Sequence, residues 1–188
     1  MKRVICLITA LLVFLSSAIL FAESVVLKKP AQIESANQYT DPTTGVTLTI
    51  TGAWKKQPLP DSINKNQVVW SKSGNNLPYI MFKNGPLPAG ITSAKDFADG
   101  LLFRYRQTEP ATVVEDTREI NINGLKVVKM VTEIPKTKDS FILRTATYAL
   151  VVGDNVVRIM ISDDANNFAN TEAETESIVN SIKIANRI

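Results

Sequence analysis

The pattern that decides the fold lies in residues 148–161, which read YALVVGDNVVRIMI. Two runs rich in β-branched and other apolar residues flank a Gly-Asp-Asn turn at 153–155, as expected for a β-hairpin. In the second run an apolar face alternates with a mixed face, Val157, Ile159 and Ile161 against Val156, Arg158 and Met160. This strand should therefore bury one face fully and the other in part.

Working upstream from this hairpin, the pattern predicts two more strands. Asn123-Gly124 stands between Ile122 and Leu125 and is a strong hairpin signal, because both central residues of a type I′ turn need positive φ. A polar turn at 136–139 separates this pair from the next. Residues 112–161 are thus predicted to form a four-stranded antiparallel meander.

The N-terminal half of the predicted domain is also β-rich. Val46, Leu48 and Ile50 alternate with threonines, which predicts a half-buried strand that ends at Gly52. Residues 67–72 and 79–83 are two short strand candidates around a polar turn cluster at 73–76. We expect them to form a hairpin.

Two helices are predicted. Ser93 and Asp96 resemble a capping box before an amphipathic stretch that ends before Pro110, with a stripe of Phe97, Leu101 and Tyr105. Gly100 costs about 1 kcal/mol relative to alanine inside this helix, so we expect it to allow close packing on the sheet.

The second helix starts near Asp164 or at Thr171, which precedes Glu174 by three residues as in a capping box. Its predicted buried stripe is Phe168, Thr175, Ile178, Val179 and Ile182, and a short strand follows within 181–184. Together the elements predict an α+β fold, a mostly antiparallel sheet packed by helices.

The N-terminus has the layout of a secretory signal peptide. Lys2 and Arg3 precede an apolar run over 4–22 with small residues near its end, so we assign 1–22 as a signal peptide cleaved after Ala22 or at an earlier site near Ala18. The run is also long enough to serve as an uncleaved membrane anchor. Residues 23–38 are predicted to be a flexible tail, and 39–188 one domain.

The predicted mature chain has few of the usual means of catalysis or nucleic-acid binding. Cys6 lies inside the signal peptide, and the sequence contains no histidine, which excludes Ser-His-Asp and Cys-His catalysis and imidazole metal ligands. Without Lys2 and Arg3, 19 basic residues face 18 acidic ones, so no nucleic-acid partner is predicted. The absence of an Asn-x-Ser/Thr acceptor favours a bacterial periplasm, with secretion as the alternative.

Three short motifs could carry chemistry, and each also has a structural interpretation. Ser62 and Lys65 match the S-x-x-K pattern of serine acyltransferases but follow a proline-rich segment, which favours a solvated loop. Glu115 and Glu119 would share one face of a regular strand, as glycoside hydrolysis requires, but so would a polar outer surface.

The third motif is a group of oxygen donors near residue 164. The group could suggest calcium but does not fit an EF-hand loop, and a strand-to-helix turn explains it better: Asp163, Asp164, Asn166, Asn167 and Glu174. No catalytic, cofactor-binding or metal-binding residue is assigned, and no cofactor is predicted.

Aromatic residues offer the remaining candidate for a site. Trp54, Trp70, Tyr79, Phe82 and Tyr105 could line a partner patch or belong to the core. Trp54 is expected to plug the end of the sheet. Trp70 and Tyr79 are the residues that we assign to a possible interaction surface.

The chain resembles PsbP-like domains, including the bacterial DcrB-like proteins. Tyr39, the Gly-led strand at 45–50 and Trp54 resemble their opening, and residues 176–184 (ESIVNSIKI) resemble their closing helix and strand. The resemblance covers 39–184 and implies an αβα sandwich whose members are mostly non-catalytic accessory, assembly or partner-binding proteins.

The leading hypothesis is an exported, non-catalytic accessory protein of the bacterial envelope that binds a protein or envelope component. Membrane contact would then occur only through an uncleaved N-terminal segment. One alternative is a small periplasmic hydrolase that uses serine, lysine and carboxylate groups. Another is a membrane-tethered structural protein that keeps residues 4–22.

Overall fold

The computed structural model describes residues 37–60, 66–72, 77–108, 112–136 and 141–185. The strands in these ranges are β1 Asn37–Thr40, β2 Val46–Ile50, β3 Lys55–Lys56, β4 Gln67–Ser71, β5 Tyr79–Pro86, β6 Thr112–Ile122, β7 Leu125–Lys136, β8 Phe141–Val152, β9 Asn155–Asp164 and β10 Lys183–Ile184. The helices are α1 Ala94–Thr108 and α2 Phe168–Asn180. Strand β1 takes in Asn37 and Gln38, which we had assigned to the tail.

The strands form two antiparallel sheets. The larger has the order β3-β4-β5-β9-β8-β7-β6 and the smaller the order β1-β2-β10. The four strands β6 to β9 pair consecutively, and β4 pairs with β5, so the predicted meander and hairpin are both confirmed. With helices packed on these sheets, the α+β class is confirmed.

The two faces of the larger sheet bury different amounts of apolar surface. One face, here called the α2 face, packs against α2 and the smaller sheet and contributes most of the core, including Phe82, Val127, Leu150, Ile159 and Ile161. The opposite α1 face meets a smaller cluster formed by Ala94, Ala98, Leu101, Leu102, Val128 and Met130. Strand β9 shows the predicted alternation between these faces.

Helix α1 begins as the capping pattern predicts. The Ser93 hydroxyl accepts a hydrogen bond from the Asp96 amide at 3.0 Å and donates one to the Asp96 carboxylate at 2.7 Å. The helix lies over β6, β7 and β8. Our explanation of Gly100 is wrong, because this residue is exposed and a Cβ built there would meet no atom within 4 Å. The glycine opens space at the surface and does not contact the sheet.

Helix α2 starts at Phe168, between the two predicted starts, after a turn at 165–167. Thr171 is not its cap. The Thr171 hydroxyl lies within the helix and donates to the buried carboxylate of Asp163 at 2.6 Å. The predicted apolar stripe is confirmed, since Phe168, Thr175, Ile178 and Val179 are all buried.

The smaller sheet is fastened to the larger one by a buried polar contact. Asp41 follows β1 and accepts hydrogen bonds from the Thr44 amide and the Asn84 side chain of β5, each at 2.8 Å. Thr47 of β2 is buried, against our prediction of a half-exposed strand, because β2 is the middle strand with Thr40 and Lys183 as its register partners.

Candidate functional site

A groove with a volume of about 450 Å³ opens between α2 and the β6–β7 end of the larger sheet. We call it the Lys129 groove. The strands contribute Arg118, Ile120, Asn121, Ile122, Lys129 and Tyr148 to its lining, and α2 contributes Ala169, Glu172, Ala173, Glu176, Val179 and Asn180. Ala169 and Ala173 are one helical turn apart, and their short side chains keep α2 from filling the space.

Lys129 lies on the floor of this groove because alternate residues of β7 face α2. It occupies the position between Val127 and Val131 that faces α2, and only 11% of its side chain is exposed. Its Nζ atom lies 2.8 Å from a carboxylate oxygen of Glu172 and 3.3 Å from one of Glu115. The same atom stands 6.0 Å from the centre of the Tyr148 ring. The cation is thus held by two carboxylates and an aromatic face.

These contacts keep Lys129 protonated. Burial alone would lower the pKa of its amine, but the hydrogen bond with Glu172 and the surrounding negative charges outweigh burial and raise the pKa above the ordinary value of 10.5. A lysine that serves as a general base needs a lowered pKa. Lys129 therefore acts here as a fixed positive charge.

Glu115 reaches this site because β6 is irregular. Between Glu115 and Arg118 the register against β7 shifts, so both side chains lie on the α2 face and form an ion pair at 2.6 Å. Glu119 pairs with Val128 and belongs to the opposite face. The expectation that Glu115 and Glu119 share a face is therefore wrong, since it assumed a regular strand.

The β6–β7 hairpin holds the far end of the groove in place. Asn123 and Gly124 have φ values of 52° and 80°, which confirms the predicted type I′ pattern. The Asn123 side-chain amide donates to the carbonyls of Asn180 at 2.8 Å and Ile182 at 3.0 Å. The turn is thereby joined to the end of α2, so the two walls of the groove are tied together.

The groove offers a ligand both apolar and charged side chains, because Ile120, Ile122 and Val179 line it together with Arg118, Lys129, Glu172 and Glu176. Tyr148 is almost fully buried, with 5% of the residue exposed. Burial raises the pKa of this phenol, which keeps it a neutral donor. No serine, threonine or cysteine is among the residues that line the groove in the described ranges.

Comparison with known proteins gives a result at the level of the fold. No family model matches the sequence, and no curated protein matches it significantly. The solution structure of cyanobacterial PsbP (CyanoP) from Synechocystis superposes with a TM-score of 0.58 at 10% identity, covering 83% of this chain and 96% of that one. The chain has the PsbP-like fold.

Two further structures share this PsbP-like fold. LpqN, involved in cell envelope biogenesis of Mycobacterium tuberculosis, gives a TM-score of 0.56 at 9% identity, with 80% of this chain and 90% of that chain covered. The Ran-binding protein Mog1p of Saccharomyces cerevisiae gives a TM-score of 0.50 at 12% identity, with 80% and 96% covered. Likeness at these identities shows the fold alone.

The PsbP-like fold separates the two residues that we assigned to one interaction surface. Trp70 is 3% exposed on the α2 face, and the edge of the Tyr39 ring packs on it with centroids 5.3 Å apart. In the β4–β5 register Trp70 lies opposite Ile80, whereas Tyr79 lies opposite Ser71. Neighbouring register positions alternate in face, so Trp70 and Tyr79 do not form a common patch. A role for half-buried Tyr79 in binding stays a prediction.

The other candidates from the sequence do not meet at the groove. Trp54 is buried in the core, as expected, with the Lys72 ammonium 5.3 Å from its ring centre. Ser62 and Lys65 lie outside the described residues.

The oxygen-donor group near 164 organises a turn. Asp163 is buried and accepts hydrogen bonds of 2.6 Å from both Asn167 and Thr171. Glu174 is not part of this cluster, because it forms an ion pair with Lys72. Within the described ranges no three metal-binding side chains come together.

Sequence reasoning missed the groove itself. Its signal was present in the pattern of β7, where Leu125, Val127, Lys129 and Val131 occupy one face and the lysine interrupts an apolar series. A charged residue at a core position implies a partner of opposite charge. The sequence does not say which glutamate supplies it, because Glu172 is 43 residues away on α2.

Proposed function

We propose that this protein is an exported, non-catalytic accessory protein of the bacterial cell envelope, and that it binds a partner protein or an envelope component through the Lys129 groove. The observation that carries the proposal is the pairing of Lys129 with Glu172 and Glu115. Because this cation is compensated and held protonated, it is a fixed charge in the groove and is not available for proton transfer.

The structural neighbours support a role of this kind. LpqN is involved in cell envelope biogenesis, and Mog1p binds Ran. Both proteins use the same fold without sharing this sequence. Binding to another molecule is therefore the activity that we infer here, with a partner of its own.

Export rests on the N-terminal sequence. We propose that residues 1–22 are removed as a signal peptide, that 23–38 act as a tail, and that 39–188 form one domain in the periplasm or outside the cell. Neither helix in the described part of the chain has the length and hydropathy of a membrane-spanning segment. N-terminal sequencing of the exported product tests this proposal: a start near Glu23 supports it, whereas a start at Met1 supports the anchored alternative.

Binding through the groove is tested with a side chain that fills it. Ala173 is exposed on α2 and lines the groove, so Ala173→Trp should block the space without disturbing the core. Ala53→Trp is the matched control, because Ala53 is exposed in the turn after β2 and does not line the groove. In affinity capture from envelope extract, we expect a partner that the wild type and Ala53→Trp retain and that Ala173→Trp loses.

Two results would contradict this function. Equal capture by all three proteins would place binding elsewhere on the molecule. Reproducible turnover in a hydrolase screen, abolished by Ser62→Ala or Lys65→Ala, would instead support the alternative of a small hydrolase.

A further inference from the structure

The α1 face of the larger sheet holds a second cation in a different setting. Arg158 of β9 points toward α1, and its guanidinium carbon lies 5.7 Å from the centre of the Phe97 ring. Among the described residues no carboxylate lies within salt-bridge distance of Arg158, in contrast to Lys129 on the other face. Burial is the main cause that lowers the pKa of this guanidinium. The charge is therefore partly desolvated without an acidic partner in the described part of the chain.

A second positive charge adjoins Arg158. Lys83 is its direct register partner on β5, so both side chains lie on the α1 face, and no described salt bridge includes Lys83. Like charges placed directly opposite each other destabilise a sheet. Such an arrangement is tolerated more readily when an anion from another molecule neutralises it.

An apolar groove of about 220 Å³ continues from the Phe97 ring. Its lining, which defines the Phe97 groove, consists of Pro88, Ile91, Phe97, Gly100, Leu101 and Arg104. Gly100 keeps the groove open, since a Cβ there would meet no atom within 4 Å. Phe103, three residues after Gly100 on α1, is 61% exposed. This volume suits one large apolar side chain.

We propose that the Phe97 groove, together with Arg158 and Lys83, binds an acidic segment of a partner protein, with an apolar side chain in the groove and flanking carboxylates on the two cations. Charge complementarity selects this occupant, because a neutral apolar segment would leave both cations without an anion. The surface lies on the face of the sheet opposite the Lys129 groove and does not depend on the function proposed for that groove.

The test uses the full-length protein and two fluorescein-labelled heptapeptides. One peptide has phenylalanine between two blocks of three glutamates, and the other has serine at the centre. Fluorescence anisotropy should show that the phenylalanine peptide binds at least about fivefold more tightly than the serine peptide, and that added salt weakens both.

Variants of the protein locate the binding. Arg158→Gln should lower the affinity for the phenylalanine peptide by about tenfold or more. Arg158→Lys, which keeps the charge, should retain most of this affinity. Lys55→Gln is the matched control, because it removes one exposed cation from β3 outside this surface and should change affinity less than about twofold. Gly100→Leu should fill the groove, and should therefore lower the affinity for the phenylalanine peptide while leaving the affinity for the serine peptide unchanged. Ala173→Trp should have no effect on either peptide.

Other outcomes overturn the proposal. It fails if neither peptide binds, or if Arg158→Gln and Lys55→Gln affect binding equally. Sedimentation with phosphatidylglycerol vesicles that depends on Arg158, without peptide binding, would identify an anionic lipid surface as the occupant. Self-association that is lost in Arg158→Gln would identify a second copy of the chain.

Discussion

Each face of the larger sheet holds a largely buried cation, Lys129 on the α2 face and Arg158 on the α1 face, and the two cations have different neighbours. On the α2 face, Lys129 is surrounded by Glu172, Glu115 and the ring of Tyr148. On the α1 face, Arg158 rests over Phe97 beside Lys83, and the described residues place no carboxylate against it. Internal neutralisation offsets the cost of burying a charge, whereas a buried charge without an internal partner is suited to an external one.

The difference extends to the apolar packing. The α2 face contacts both α2 and the smaller sheet, and the core that these elements form together holds most of the fully buried large side chains. On the α1 face, in the described part of the chain, α1 covers the sheet over β6, β7 and β8, and Met81 and Met160 are half-buried on β5 and β9. We therefore expect the α2 face to contribute most of the stability.

The largest expected effect comes from truncating adjacent residues of β9 that point to opposite faces. Ile159 is fully buried on the α2 face, so Ile159→Ala should lower the free energy of unfolding by about 3–4 kcal/mol. Met160→Ala, on the α1 face, should cost about 1 kcal/mol because its side chain is already partly hydrated. Urea unfolding followed by tryptophan fluorescence measures both, and equal losses would remove the distinction between the faces.

The next effect compares the two cations directly. Lys129→Met keeps the packing but leaves Glu172 without its cation, and should cost about 1–2 kcal/mol. This lies below the cost of breaking a fully buried pair, because Glu172 is partly hydrated and Glu115 keeps Arg118. Arg158→Met should change stability by less than about 0.5 kcal/mol or increase it. If Arg158→Met proved the more destabilising in the same assay, Arg158 would have an internal partner.

A substitution at Gly100 tests whether α1 needs a glycine for its packing. Gly100→Ala should stabilise the protein by about 1 kcal/mol, because alanine has the higher helix propensity and its methyl group enters open space. Thermal unfolding measures the gain. A loss of stability would show that the glycine is needed for packing, as we inferred from the sequence.

The smallest effect is a dependence on pH. Because the pKa of Lys129 is raised above 10.5 in the folded protein, the folded state holds this proton more tightly than the unfolded chain. Its contribution is complete below pH 10.5 and is lost as the pH rises through the folded-state pKa. The difference in unfolding free energy between wild type and Lys129→Met should therefore shrink above pH 10.5. A difference that stayed constant through this range would mean that the ion pairs contribute little.

Local pattern was sufficient for most of the secondary structure. The turns at 123–124 and 153–155, the alternation in β9 and the cap at Ser93 each depend on residues close together in sequence, and each was predicted. The errors arose where contacts from elsewhere in the chain decided the outcome. Thr171 does not cap α2, because its hydroxyl donates to Asp163, and Thr47 is buried in β2, which has neighbouring strands on both sides.

Local sequence pattern does not predict the two grooves, because they too depend on contacts between distant parts of the chain. Lys129 and Glu172 meet only because α2 crosses the sheet at β7, and Arg158 meets Phe97 only because α1 covers the other face. The bulge in β6 moved Glu115 to the Lys129 side and left Glu119 on the opposite face. One extra residue in a strand moves every later side chain to the opposite face of the sheet. The residue types in this segment do not predict such a bulge.

The sequence by itself determined the α+β architecture, the strand order of the meander and the apolar face of β9. Periodicity of two or of about 3.6 residues suffices for that, because it depends on backbone geometry alone. Only the tertiary structure decided which charges are neutralised, that Trp70 is enclosed while Tyr79 faces the other side, and where the surface stays open. Those properties depend on distances between residues far apart in the chain, which packing sets and local pattern does not encode.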